Sequence, residues 1–184
     1  MASKSAGEAD TNFAYFFRES LSVITNAFLL AHADHDKRIL MYEPPVKLQR
    51  KGGDPLYLAV TQTYRVVEPT PRQFKAKTTA YLYEVSVKRN SDELANVFEF
   101  HWHPDTTRSL KWPHLHVVGN TQDGNVERVH FPTARLAVED LIRLLIRDFG
   151  VKTRIPYDNA KKILAKNKLA LMQSASWLHW SPLI

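Results

Sequence analysis

Apolar residues recur at helical spacing in three stretches of the chain. Phe13, Phe16, Phe17, Leu21, Ile24, Phe28 and Leu29 follow one another at three- and four-residue steps, which predicts a helix over about 12–32 with Thr11 or Asn12 as its N-cap. His32, Asp34, His35 and Asp36 then read as a solvated helix end. Val138, Leu141, Ile142, Leu145, Ile146 and Phe149 form a second stripe, over 138–149, with Glu139 and Asp140 in its first turn and Gly150 as its stop. A third helix, over about 158–174, carries Lys161, Lys162, Lys166 and Lys168, whose plainest reading is a solvated face.

Between the first two helices the pattern changes to short segments rich in Val, Thr, Tyr and Leu. Strands are expected over 56–67, 78–88, 97–103, 114–118 and 127–131. The turn-prone runs Glu68-Pro69-Thr70-Pro71 and Asn90-Ser91-Asp92 separate them, and Pro104 and Pro132 end two of them. Glu43-Pro44-Pro45 and Lys51-Gly52-Gly53-Asp54-Pro55 bracket an irregular connection. Strands grouped before helices predict an α+β fold: an antiparallel meander sheet over about 56–131, helices on one of its faces, and an N-terminal helix. Residues 1–10 read as a disordered tail and 11–184 as one domain.

Composition narrows the function classes. The chain has 184 residues and no cysteine, which excludes disulfides, thiolate metal sites and a thiol nucleophile. The N-terminal residues do not resemble a signal peptide, and the longest apolar run, about 27–31, is too short for a bilayer, so a soluble, cytoplasmic protein with no membrane partner is expected. A formal net charge of +6 favours polyanionic partners such as RNA.

Alternation along the strands then singles out the histidines. Phe98, Phe100 and Trp102 share one face of their strand, while Glu99, His101 and His103 share the other. Leu115 and Val117 oppose His114 and His116, and Val129 and Phe131 oppose Arg128 and His130. With the strands in register, the apolar faces should lie under the 138–149 helix, and five imidazoles should meet on the far face. A one-residue slip would scatter them.

Two chemistries use such a cluster. In the first, imidazoles act as general base and acid in RNA cleavage without a cofactor, His101 or His103 opposite His114 or His116, with His130 in support. Arg135 and Lys111 would stabilise the phosphate, and Arg108, Arg128, Lys88 and Trp112 would bind the nucleic acid. In the second, His101, His103, His114 and His116 ligate a divalent transition metal, as in metal-dependent hydrolases. A non-catalytic module binding nucleic acid or protein is the third reading, with the lysine-rich helix as its contact surface.

The stretch 79–149 also resembles the TumE-like toxins of bacterial toxin–antitoxin systems. The resemblance rests on Tyr81-Leu82-Tyr83-Glu84, on the aromatic strand running into His103-Pro104-Asp105, and on Pro113-His114-Leu115-His116-Val117 before an acidic-started helix. By position, His103-Pro104 and Pro113-His114 with His116 carry over. The resemblance implies a small toxin module acting on RNA and neutralised by a DNA-binding antitoxin protein.

Overall fold

Alternating burial on the strands and apolar stripes on the helices assemble into two layers, an antiparallel sheet of eight strands with three helices against one face, the α+β class that the pattern predicts. The computed structural model describes residues 3–88, 93–104, 110–121 and 124–174, with the backbone alone at 119–121, 124–128 and 173–174. In chain order the elements are α1 (Ala6–Ser22), β1 (Leu30–Asp34), β2 (Lys37–Met41), β3 (Val46–Leu48), β4 (Leu56–Thr70), β5 (Gln73–Lys88), β6 (Leu94–Trp102), β7 (His114–Thr121), β8 (Gly124–Pro132), α2 (Val138–Arg147) and α3 (Tyr157–Ser174). The sheet order is β1-β2-β4-β5-β6-β7-β8, and β3 joins β4 beyond the end of β2.

The N-terminal region departs from expectation. The tail expected over 1–10 is not free in its described part, 3–10, because α1 begins at Ala6 and Ser3 pairs with Phe74. Ser5 caps the helix by accepting from the Glu8 backbone N–H at 3.1 Å, and the Glu8 carboxylate accepts from the Lys4 N–H at 2.7 Å. Ser5-Ala6-Gly7-Glu8 has the spacing of a capping box, a signal present in the sequence. The helix stops at Ser22 and not near His32. Val23, Ile24 and Leu29 still enter the core, but from a connecting segment, so apolar spacing outlasts the helix. Phe28, assigned to the apolar stripe, is 80% exposed. His32, Asp34, His35 and Asp36 belong to the β1–β2 hairpin, with His35 at φ 50° in its turn.

The helix-facing side of the sheet supplies half of the core. Leu56, Leu58, Val60 and Tyr64 of β4, Tyr81, Tyr83 and Val85 of β5, and Phe98, Phe100 and Trp102 of β6 are all buried. They meet Phe13, Phe17 and Leu21 of α1, Leu141, Ile142 and Leu145 of α2, and Leu164 and Leu171 of α3. Each fully buried side chain of this size contributes on the order of 1.5–3 kcal/mol from removal of apolar surface. Gly150, at φ +69°, turns the chain away just past α2. Three of the α3 lysines are paired with acids, Lys161 with Asp158, Lys166 with Glu19 and Lys168 with Asp140, as befits an ordinary helix face.

The helix layer is narrower than the sheet. Phe98 packs on Phe149 just past α2, with ring centroids 5.2 Å apart, but Val117 and Val129 are each 37% exposed and Phe131 is 49% exposed. Leu115 packs against the core as its alternation suggests, but Val117, Val129 and Phe131 do not lie under α2. A ten-residue helix is about 15 Å long and covers only the neighbouring strands. Among the described residues no helix is long and apolar enough to cross a membrane.

Candidate metal centre

The opposite face of the sheet gathers the imidazoles. β6 and β7 pair antiparallel with His101 opposite His114 and Glu99 opposite His116, and β7 pairs with β8 so that His116 faces His130. Directly paired residues share a face, so this register puts four histidines and Glu99 together. Ring centroids are 5.0 Å apart for His101 and His114, 4.7 Å for His114 and His116, and 4.1 Å for His116 and His130. His103, just beyond the end of β6, lies edge-on to His101 at 4.4 Å. The register that could have scattered the cluster instead assembles it.

Three of these rings come closest to a ligand set. His101, His114 and His116 each offer a nitrogen, and those nitrogens lie within 4.8 Å of one another. A tetrahedral zinc ion with bonds of about 2.0–2.1 Å needs nitrogens about 3.3–3.4 Å apart, so binding would draw these rings together. Histidine, with no thiolate available, suits zinc, copper, nickel or iron.

Two of the rings are also held from behind. His114 is 3% exposed, and its Nδ1 lies 2.8 Å from the Trp112 backbone oxygen. A carbonyl only accepts, so Nδ1 carries a proton, and in the neutral ring the lone pair is on Nε2. His116 places Nδ1 3.0 Å from Glu99 Oε1, which fixes the same tautomer, and its Nε2 is buried without a hydrogen-bond partner. Glu99 is itself steadied by Asn96, whose amide donates to Oε2 at 3.2 Å. A carboxylate or a carbonyl behind an imidazole is the support that metal-ligating histidines commonly have.

The electrostatics keep several imidazoles neutral. Burial, and then the neighbouring His130 and His114, push His116 down to about 4. Burial first and His114 second also lower His103 and His130. The Glu99–His116 contact is accordingly a hydrogen bond from a neutral ring, not a full ion pair. Burial, with Glu84 directly opposite, raises the Glu99 carboxyl. A general-acid role needs a protonated imidazole, and this environment disfavours one at these positions.

The other residues singled out from sequence are less tightly gathered. Arg135 stacks over the Trp102 ring at 3.9 Å, on the helix side of the sheet, so it is not a partner of the imidazoles. The parity that buries Trp102 also removes that side from the histidine face. Lys111 is exposed on the segment before β7, and Trp112, 40% exposed, contributes its backbone oxygen to His114. Lys88 ends β5, six residues beyond the Leu82 that pairs with His101. Arg108 lies outside the described residues, and of Arg128 only its place in β8 is described. Glu84, quoted above only as part of the tyrosine-rich strand, and Asn96, which no motif marks, join the site through pairing with β6 and a hydrogen bond to Glu99. Compared with protein-family models, curated proteins and solved structures, the chain has no match, and the site stands on its own geometry.

Proposed function

We propose that this protein is a metal-dependent hydrolase whose centre is a divalent transition metal held by His101, His114 and His116, with RNA as its substrate class. The observation that carries the reading is the pair of pinned rings: Trp112 and Glu99 hold the Nδ1 atoms of His114 and His116 within a group of three rings, His101 included, that each bring a nitrogen within 4.8 Å of the others. Three imidazoles leave a tetrahedral ion one open position, the donor set of a catalytic rather than a structural site. A metal held there would supply Lewis acidity, to polarise a phosphoryl oxygen and to acidify a water toward neutrality. His130, stacked on His116 at 4.1 Å and half-buried, borders the ligand set and would be placed to exchange a proton between the site and solvent.

RNA as the substrate rests on the basic charge of the chain and on the resemblance to TumE-like toxins, which also supports an antitoxin protein as partner and a cytoplasmic setting. The test is metal analysis of purified protein, followed by cleavage of mixed cellular RNA with chelator and with zinc or manganese restored. Stoichiometric metal that is lost in His114→Ala/His116→Ala, and cleavage restored only by metal, are expected. Cleavage that survives chelator and disappears in the double variant would return the histidines to an acid–base role. No cleavage under any condition, with the fold intact, would favour a binding module.

A further inference from the structure

The imidazole face continues past the histidines, and its far end is cationic. Leu82 pairs with both His101 and Thr61, and Thr61 pairs with Met41, so alternate residues along β4 and β2 share the face of His101. Two steps further along β4 is Thr63, opposite Ile39, and two further again is Arg65, opposite Lys37 on one side and Lys77 on the other. Lys37, Arg65 and Lys77 thus form one straight row across β2, β4 and β5. Lys75, opposite Val67, extends it.

Like charges placed directly opposite one another destabilise a sheet. Arg65 is relieved by Asp36, whose Oδ2 lies 3.0 Å from its Nε, and Asp34 faces Lys37 across the hairpin. Lys75 and Lys77 have no carboxylate in salt-bridge range among the described residues, so the four cations outnumber the two acids beside them. A row in register that the fold leaves under-compensated asks for an external anion.

A cavity joins the row to the histidines. It has a volume of about 330 Å³ and is lined by Asp34, Lys37, Thr63, Thr79 and His103, with Ile39, Ala80 and Pro104 as its apolar walls. Lys37 belongs to the row, and His103 touches His101 of the ligand set, so one continuous surface links the two. The Thr79 hydroxyl is buried in that wall with no hydrogen-bond partner. The row crosses two inter-strand gaps, about 10 Å, and lies about 17 Å along β5 from the residue paired with His101.

We propose that Lys37, Arg65, Lys75 and Lys77 are the seat for the phosphates of a single-stranded nucleic acid, which runs from this row through the His103 cavity to the imidazole cluster. The track is one side chain wide at β2 and β4 and two at β5, which fits a single phosphodiester chain and not the breadth of a duplex. The proposal deepens the hydrolase reading and rests on it for the direction of the strand, but the binding it describes does not require the metal.

The experiment measures binding of a fluorescein-labelled single-stranded oligoribonucleotide by anisotropy across a salt series, for the full chain and for Lys37→Ala/Lys77→Ala. Losing two phosphate contacts should lower the slope of log K against log salt by about 1.4 and weaken binding several-fold. Metal content should stay at the wild-type level. Lys161→Ala/Lys162→Ala, on the helix side, should bind as the wild type does. Unchanged affinity and slope in Lys37→Ala/Lys77→Ala would overturn the seat, and so would loss of binding in metal-free His114→Ala/His116→Ala that keeps its fold. A wild-type protein that binds no metal yet loses oligonucleotide binding with Lys37 and Lys77 would uphold the seat while removing the metal centre.

Discussion

Replacing Glu99 with glutamine removes a charge from behind the proposed centre while leaving its shape in place. Glu99 Oε1 accepts from His116 Nδ1 at 3.0 Å, and Oε2 accepts from the Asn96 amide at 3.2 Å. A glutamine that keeps its oxygen toward His116 turns its amide nitrogen toward Asn96. The Asn96 side chain can flip to present Oδ1, an atom that is buried and lacks a hydrogen-bond partner. Geometry is thus retained, and the variant isolates what the carboxylate charge contributes to the basicity of His116. Both side chains are about one-fifth exposed, 21% for His116 and 20% for Glu99, so solvent screens that charge only in part. Outer partners of metal-bound histidines are worth about 10–100-fold in affinity. With orientation preserved, the lower end is expected, about tenfold or about 1.4 kcal/mol.

The assay is competition for zinc against a chromophoric chelator at fixed pH, with His116→Ala setting the floor and circular dichroism reporting the fold. Asn96→Ala should add a loss of positioning to an otherwise intact carboxylate. If Glu99→Gln binds zinc within twofold of the wild type while His116→Ala loses it, Glu99 does not tune the ligand, and the argument from the pinned ring fails.

Two further expectations concern groups on the helix side. Burial raises the carboxyl of Glu139, which is 0% exposed and accepts from Ser20 Oγ at 2.7 Å. In the window from the ordinary carboxylate range up to its raised folded value, the folded chain holds the extra proton, so wild-type stability should fall as pH rises. The slope is at most about 1.4 kcal/mol per pH unit, and chemical denaturation of Glu139→Gln in parallel should show that component gone. Arg135→Ala should cost about 0.5–2 kcal/mol through loss of its stacking on Trp102, seen as a lower melting temperature. Zinc affinity and RNA cleavage should be unchanged in that variant, and a large loss of either would restore Arg135 to the site.

Strand alternation was enough to read which residues share a face, because the period of two is local and needs only a strand to exist. Phe98, Phe100 and Trp102 on one side and Glu99, His101 and His103 on the other follow from that alone. Helix limits were less legible. The apolar spacing from Phe13 to Leu29 runs through a helix, a connection and the approach to a strand, all of which bury residues in the same core. The exposed faces of Val117, Val129 and Phe131 depend on how far a ten-residue helix reaches, which periodicity does not encode.

The choice between acid–base chemistry and ligation lies at a finer level still. Histidine content and alternation serve both equally well. The atom behind each ring sets its tautomer, and those atoms come from unlike sources: Glu99 arrives from the neighbouring strand through pairing register, and the Trp112 oxygen is main chain, which any residue at that position would supply. The cation row is hidden for a related reason. Lys37, Arg65 and Lys77 are far apart in sequence, and their alignment follows the irregularity between Thr63 and Tyr64, where the β4–β5 register shifts. Without that shift Arg65 would face Thr78, which is buried on the helix side, and the two strands could not bury Tyr64 and Thr78 together. The irregularity that lets the core close therefore also sets Lys77 beside Arg65 on the opposite face.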